Sequence, residues 1–257
     1  MKPIAHWLGR VVAALTVLAG GLVAFAAPAS AATICGNSPV PPGQVITAER
    51  TSNSCGGYLE LTVQPPYNGV NICGDSPIPA GYVITSESTG NGCGGHLVAV
   101  INIAASRMGI CMDSPIPPGY VILSEQQTNS CGGRMGGYIS NELFPGINVC
   151  ADSTVPAGWV ITSEYQTNSC GGHLGEVINV PFPGINTCGD SPIPPGYVIT
   201  SAYQTNGCGG HLGEIITNNL FNGINVCANS ALPAGWWVSS MYTTNGCGGY
   251  LAEILQH

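Results

Sequence analysis

The chain has 257 residues, including 37 glycines, 20 prolines and 12 cysteines, and only 7% are charged, for a formal net charge of −8. With 44% hydrophobic residues it is too apolar and too weakly charged for a disordered chain. Glycine does not recur at every third position, which excludes collagen.

Residues 1–31 read as a secretory signal peptide. Lys2 and Arg10 give a positive start, Val11 to Ala26 form an uncharged and largely apolar run, and Ala29-Ser30-Ala31 offers small residues for cleavage. The run falls short of the roughly 20 residues that span a bilayer. The reading predicts a secreted, extracellular chain with no membrane span after cleavage. The remainder then carries Arg50, Arg107 and Arg134 against 13 acidic residues, and no lysine. Nucleic-acid binding needs several cationic phosphate contacts, and anionic membranes need polybasic clusters. Both are excluded, as is Schiff-base chemistry on lysine.

The rest is an internal repeat. Cysteines fall in pairs 20 positions apart: Cys35/Cys55, Cys73/Cys93, Cys111/Cys131, Cys150/Cys170, Cys188/Cys208 and Cys227/Cys247. First cysteines recur every 38 or 39 residues. The repeats are drawn at 32–71, 72–109, 110–148, 149–186, 187–225 and 226–257, the last lacking the linking aromatic-Pro/Asn-Gly-Ile-Asn segment. An exported chain with evenly spaced, even-numbered cysteines reads as a disulfide framework, and the register favours pairing within each repeat. One such bridge closes a loop of about 21 residues and is worth roughly 3 kcal/mol. A unit of this length needs it, because units below about 40 residues rarely fold on core burial alone. Thiolate metal sites want Cys-x-x-Cys spacing, which does not occur. No metal and no cofactor is expected.

Within a repeat the signals are β. Asp-Ser-Pro-Ile-Pro-Pro-Gly is turn and extended chain. Tyr-Val-Ile-Thr-Ser-Glu-Tyr-Gln-Thr is a β-branched and aromatic strand. Asn-Ser/Gly-Cys-Gly-Gly marks a tight reversal, His-Leu-Gly-Glu-Val-Ile-Asn-Val a second strand, and Ile-Asn-Val before the next cysteine a short third one. The predicted class is all-β: six tandem units of about 38 residues, each a disulfide-stapled hairpin or three-stranded sheet. An open array or stack is favoured over a closed six-bladed ring, since propeller blades usually run to about 40–50 residues.

Four sets of equivalent positions stand out as carriers of chemistry. Two residues after the first cysteine lie Asn37, Asp75, Asp113, Asp152, Asp190 and Asn229, where Asp and Asn exchange as an Asx-turn allows, with a cation ligand such as for calcium as the lesser reading. The strand carboxylates Glu49, Glu87, Glu125 and Glu164 give way to Ala202 and Met241, which reads as a solvated strand face. After Cys-Gly-Gly come Tyr58, His96, Arg134, His173, His211 and Tyr250, all planar groups at a hairpin exit. After the Pro-x-Gly turn come Gln44, Tyr82, Tyr120, Trp159, Tyr197 and Trp236. The aromatics either fill a thin core or serve as platforms for sugar rings, which suit apolar bodies with polar tips.

No nucleophile, base and orienting group converge on a single place, so an enzyme is not expected. Near-equal copies suit multivalent binding, in which tethering multiplies weak sites by about 10²–10⁴. The leading expectation is a secreted, non-enzymatic binding protein for a glycan, glycoconjugate or cell-wall polysaccharide, through Tyr58, His96, Arg134, His173, His211, Tyr250, Tyr82, Tyr120, Trp159, Tyr197 and Trp236. The alternative is a self-assembling structural or surface-coat protein whose partner is itself. A third is a tandem protease inhibitor presenting its Pro-rich loops.

Overall fold

The structure, a computed structural model, describes residues 31–257; the leader reading rests on residues before Ala31 and lies outside them. Each β-branched run folds into a three-stranded antiparallel sheet, and six sheets follow in tandem. The first comprises β1 (Ala32–Cys35), β2 (Val45–Thr51) and β3 (Leu59–Gln64). The second has β4 (Val70–Cys73), β5 (Tyr82–Thr89) and β6 (Leu97–Ile103). The third has β7 (Met108–Cys111), β8 (Val121–Gln127) and β9 (Met135–Ser140). The fourth has β10 (Ile147–Cys150), β11 (Val160–Gln166) and β12 (Leu174–Asn179). The fifth has β13 (Ile185–Cys188), β14 (Val198–Gln204) and β15 (Leu212–Thr217). The sixth has β16 (Ile224–Cys227), β17 (Trp237–Thr243) and β18 (Leu251–Gln256).

The third strand of each sheet lies in the middle, so the short Ile-Asn-Val-Cys strand pairs forward, with the sheet that follows it in sequence. In the fourth sheet Ile147 faces Ile178 and Cys150 faces Gly175. The second to sixth sheets therefore begin two residues before the repeat boundaries drawn from the cysteines. The sixth sheet has all three strands although its repeat lacks the linking segment.

All six bridges form within their own repeats: Cys35–Cys55, Cys73–Cys93, Cys111–Cys131, Cys150–Cys170, Cys188–Cys208 and Cys227–Cys247. Each ties the end of the short strand to the reversal between the other two. That reversal needs two consecutive residues with positive φ, as at Gly171 (58°) and Gly172 (109°), which only glycine adopts without strain. At the turn into the third sheet Arg107 takes a φ of 58°, where the equivalent Gly69 and Gly146 take 79° and 83°.

The second cysteine of each repeat lies in the tight reversal expected from the sequence, and from the second repeat on it also packs on the repeat before it. The bridge to Cys73 forms there, and Cys93 is only 2% exposed and packs with Ile46, Leu61 and Val63 of the preceding repeat. Its backbone also pairs in parallel with Glu49, as Cys131, Cys170, Cys208 and Cys247 pair with the equivalent residues before them. The neighbour's strand adds cover to this sulfur: Cys55, with no described repeat before it, is 8% exposed.

In every sheet the second strand bulges, in the fourth between Ile161 and Ser163. The bulge re-aims the strand and lets it reach the next repeat. The backbone N–H of Glu49, Glu87, Glu125, Glu164 and Ala202 donates to the carbonyl just before the second cysteine of the following repeat, at 2.7–2.8 Å. Earlier on the same strands, the N–H of Ile46, Ile84, Ile122, Ile161 and Ile199 donates to the hydroxyl of Ser76, Ser114, Ser153, Ser191 and Ser230. Five junctions thus share one polar pattern, and each seals an apolar cluster. In one, Val121 of the third repeat meets Ile147, Val149, Ile161 and Ile178 of the fourth and the Cys188–Cys208 bridge of the fifth. The disulfides belong to the core, which runs along an open stack in which each unit touches its neighbours.

The serine junction gives a direct prediction. Ser191→Ala leaves the buried Ile161 N–H without its 2.8 Å acceptor, at a cost of about 1–3 kcal/mol. Ser38 is the exposed counterpart on the first repeat, so Ser38→Ala leaves the stability of an isolated chain unchanged. Urea unfolding of both variants checks this; equal effects would discredit the junction.

Candidate functional site

The bulge that turns each second strand toward its neighbour also buries the strand glutamates. Glu49, Glu125 and Glu164 are 5% exposed and Glu87 is 7% exposed. The expected solvated face is therefore corrected: it is a solvated face only within one repeat, and the next repeat covers it. Each carboxyl group lies against the Cys-Gly-Gly reversal of the following unit. For Glu49 that reversal is Cys93-Gly94-Gly95, and a Cβ added at Gly94 would stand 2.7 Å from Glu49 Oε2.

Two side chains of the following repeat complete a trio. Glu49 meets Asp75 and His96, and Glu164 meets Asp190 and His211, with ligand-type atoms within 4.8 Å of one another. His96 Nε2 stands 3.9 Å from Asp75 Oδ2, and His211 Nε2 stands 3.8 Å from Asp190 Oδ2. Between the second and third repeats an arginine occupies this place. Arg134 Nη1 lies 2.7 Å from Asp113 and 3.5 Å from Glu87. Glu125, Asp152 and His173 form the corresponding set at the third junction. The fifth junction carries Ala202, Asn229 and Tyr250, so all three members become neutral together. The Asp row was expected to cap its own turn. The turn is closed instead by backbone, with Ser76 N–H donating to Cys73 C=O at 2.9 Å.

Burial and the adjacent aspartate push Glu49 and Glu125 up to about 7, while the nearby imidazole pulls the other way. Glu87 and Glu164 are raised chiefly by burial too, opposed by Arg134 and His211 respectively. A second carboxyl row begins at Glu176, which burial and the charges of Asp190, Glu164 and Asp152 lift to about 7. Glu214 is raised by burial against a 3.0 Å hydrogen bond from Asn229 Nδ2.

Tyr58, His96, Arg134, His173, His211 and Tyr250 are all exposed. The other row, Gln44, Tyr82, Tyr120, Trp159, Tyr197 and Trp236, is half-buried. Its rings pack on the junction clusters, and the hydroxyls of Tyr82, Tyr120 and Tyr197 donate to Pro66, Ala104 and Pro181 carbonyls at 3.3, 3.0 and 3.1 Å. A different aromatic row escaped the sequence reading. Tyr67, Phe144, Phe182 and Phe221 are exposed at the turns that lead into the second, fourth, fifth and sixth sheets. Their signal was the repeated aromatic-Pro/Asn-Gly turn, whose ring points outward.

At the ends of the described stack, positions that are buried in the interior repeats are exposed. Trp237 is 56% exposed, although its five counterparts, Val45, Val83, Val121, Val160 and Val198, are 0% exposed. Met241, at the glutamate position, is 55% exposed. At the other end Ala32 is exposed and Ile34 half-buried, where the equivalent Val70 and Ile72 are buried. Among the described residues no helix is long and apolar enough to cross a membrane. No family model matches the chain, and no curated protein or solved structure is similar to it.

Proposed function

We propose that this protein is an extracellular building block that adds to copies of itself head to tail. The observation that carries this reading is Trp237, a large apolar side chain exposed at a position that is fully buried in all five other repeats. Met241, on the same strand, is exposed too, so two large apolar side chains stand where the following repeat covers the strand elsewhere. The polar pattern of the internal junctions supports the same reading. Val238 and Met241 occupy the positions of the donors Ile46 and Glu49, and Ser38 and Ser54 occupy those of the acceptors Ser76 and Gly92. The trio fits as well. Met241 would meet Asn37 and Tyr58, a neutral set like Ala202 with Asn229 and Tyr250, and methionine sulfur favours aromatic neighbours. A head-to-tail contact whose rotation does not close generates a filament. Six bridges fit an oxidising compartment, in line with the leader.

Sedimentation velocity and electron microscopy of the oxidised chain without residues 1–31 test the proposal. Growth into rods with concentration is expected, and Trp237→Glu with Met241→Glu should return the species to monomers of unchanged circular dichroism. A chain that stays monomeric at high concentration while folded would overturn it. A second reading, glycan binding, is favoured by the exposure of Tyr58, Tyr250 and the Tyr67, Phe144, Phe182 and Phe221 row. Retention on insoluble polysaccharide, lost on Phe144→Ala and Phe182→Ala, would support it over assembly alone.

A further inference from the structure

We propose that two repeat junctions, Glu49/Asp75/His96 and Glu164/Asp190/His211, each bind a divalent transition-metal ion with the ligand preference of zinc. The inference is independent of end-to-end assembly. Its starting point is an unmet need. Glu49 Oε2 and Glu164 Oε2 are buried, belong to residues only 5% exposed, and have no hydrogen-bond partner. A buried polar atom left in this state is destabilising, and more so if charged. The atom is aimed at an aspartate and a histidine from the next repeat.

The second junction shows what that place accepts. There a guanidinium from Arg134 reaches both Glu87 and Asp113, so a cation of the chain itself bridges the two carboxylates. The imidazoles of His96 and His211 are shorter. They sit beside the aspartate, at 3.9 and 3.8 Å, and no cation of the chain bridges the two carboxylates there as Arg134 does. At the fifth junction the acid disappears, and the aspartate and histidine disappear with it. A turn-capping role for Asp alone would not tie it to a residue one repeat away.

The donor set selects the ion. One imidazole nitrogen and two carboxylate oxygens suit zinc, which takes such ligands at about 2.0–2.2 Å and leaves a fourth position for water. Calcium prefers six to eight oxygens, and magnesium keeps most of its water. The aspartate and histidine are half exposed, which gives the ion a way in. Because the ligands come from consecutive repeats, the ion would clamp one junction near each end of the stack.

Isothermal titration of the folded, oxidised, chelator-treated chain with zinc chloride tests the proposal, with magnesium chloride as control. His96→Gln and His211→Gln should each remove one bound equivalent and together abolish the rise in melting temperature on adding zinc. No saturable zinc uptake, or uptake unchanged in the double variant, would overturn the assignment.

Discussion

A chain carrying Cys150→Ala and Cys170→Ala should lose about 3–5 kcal/mol and unfold in more than one calorimetric step. The first part follows from the loop that the bridge closes, about 21 residues, which is worth roughly 3 kcal/mol in the unfolded ensemble. The rest comes from packing. Cys150 and Cys170 are 0% and 3% exposed and lie in one apolar cluster with Val83, Ile110, Ile122 and Ile139. The loss of cooperativity follows from the linear architecture. Stability in a stack is a sum of unit and nearest-neighbour terms, and the fourth repeat is the link between the first three and the last two. Removing the half-exposed Cys35 and its partner Cys55 should shift only an end of the stack and keep one transition. A single transition at the original temperature for the central variant would show that the bridge contributes little.

The protein should be more stable in mild acid than in mild base. Glu87, Glu125 and Glu214 are all raised in the folded chain, Glu125 to about 7, chiefly because burial disfavours their charged form. A carboxyl raised on folding binds its proton more tightly in the native state. Its contribution is complete below the ordinary value of 4.5 and is lost as pH rises through the folded value. The direction is opposite to ordinary acid denaturation. Glu60 works the other way, lowered by its hydrogen bonds from Arg50, Ser52 and Ser54. Melting in chelator at low salt should fall by about 5 °C or more between about pH 5 and about pH 8, since 1 kcal/mol moves a chain of this size by about 2–4 °C. Glu125→Gln should flatten the curve and raise the melting temperature at the alkaline end. A melting temperature that climbs with pH would refute the burial argument.

The repeat, the bridges and the three strands were legible because each rests on local signals: cysteine spacing, β-branched runs, and Gly or Pro at the reversals. What lay across a junction was not. Cys93 could be paired with Cys73 from spacing alone, but its burial against Ile46 and Leu61 depends on a strand from another repeat. Glu125 sits on a strand edge that is solvated in an isolated repeat, and only the stacking of Asp152 and His173 above it reverses that reading. Ser153 looked like a turn residue, yet its hydroxyl serves Ile122 in the preceding unit. A signal existed, since Ala202 is followed one repeat later by Asn229 and Tyr250 together. Comparing each repeat with its neighbour, position against position, exposes the pairing that comparison within columns hides. Tyr197 illustrates the remaining ambiguity: an aromatic with a polar tip suits a sugar or a core, and its bond to the Pro181 carbonyl places it in packing.

The matched trios also constrain how such a gene can change length. Recombination that removes the third repeat would set Glu87 on Asp152 and His173, a set already used elsewhere in the chain. Removing the fifth would set Glu164 on Asn229 and Tyr250, a buried acid with neither a counter-ion nor a neutral partner of its own kind. The second, third and fourth cassettes are interchangeable, and the fifth and sixth are tied to each other through Ala202, Asn229 and Tyr250. The array can be lengthened or shortened among those three while the Ala202/Asn229/Tyr250 joint stays intact.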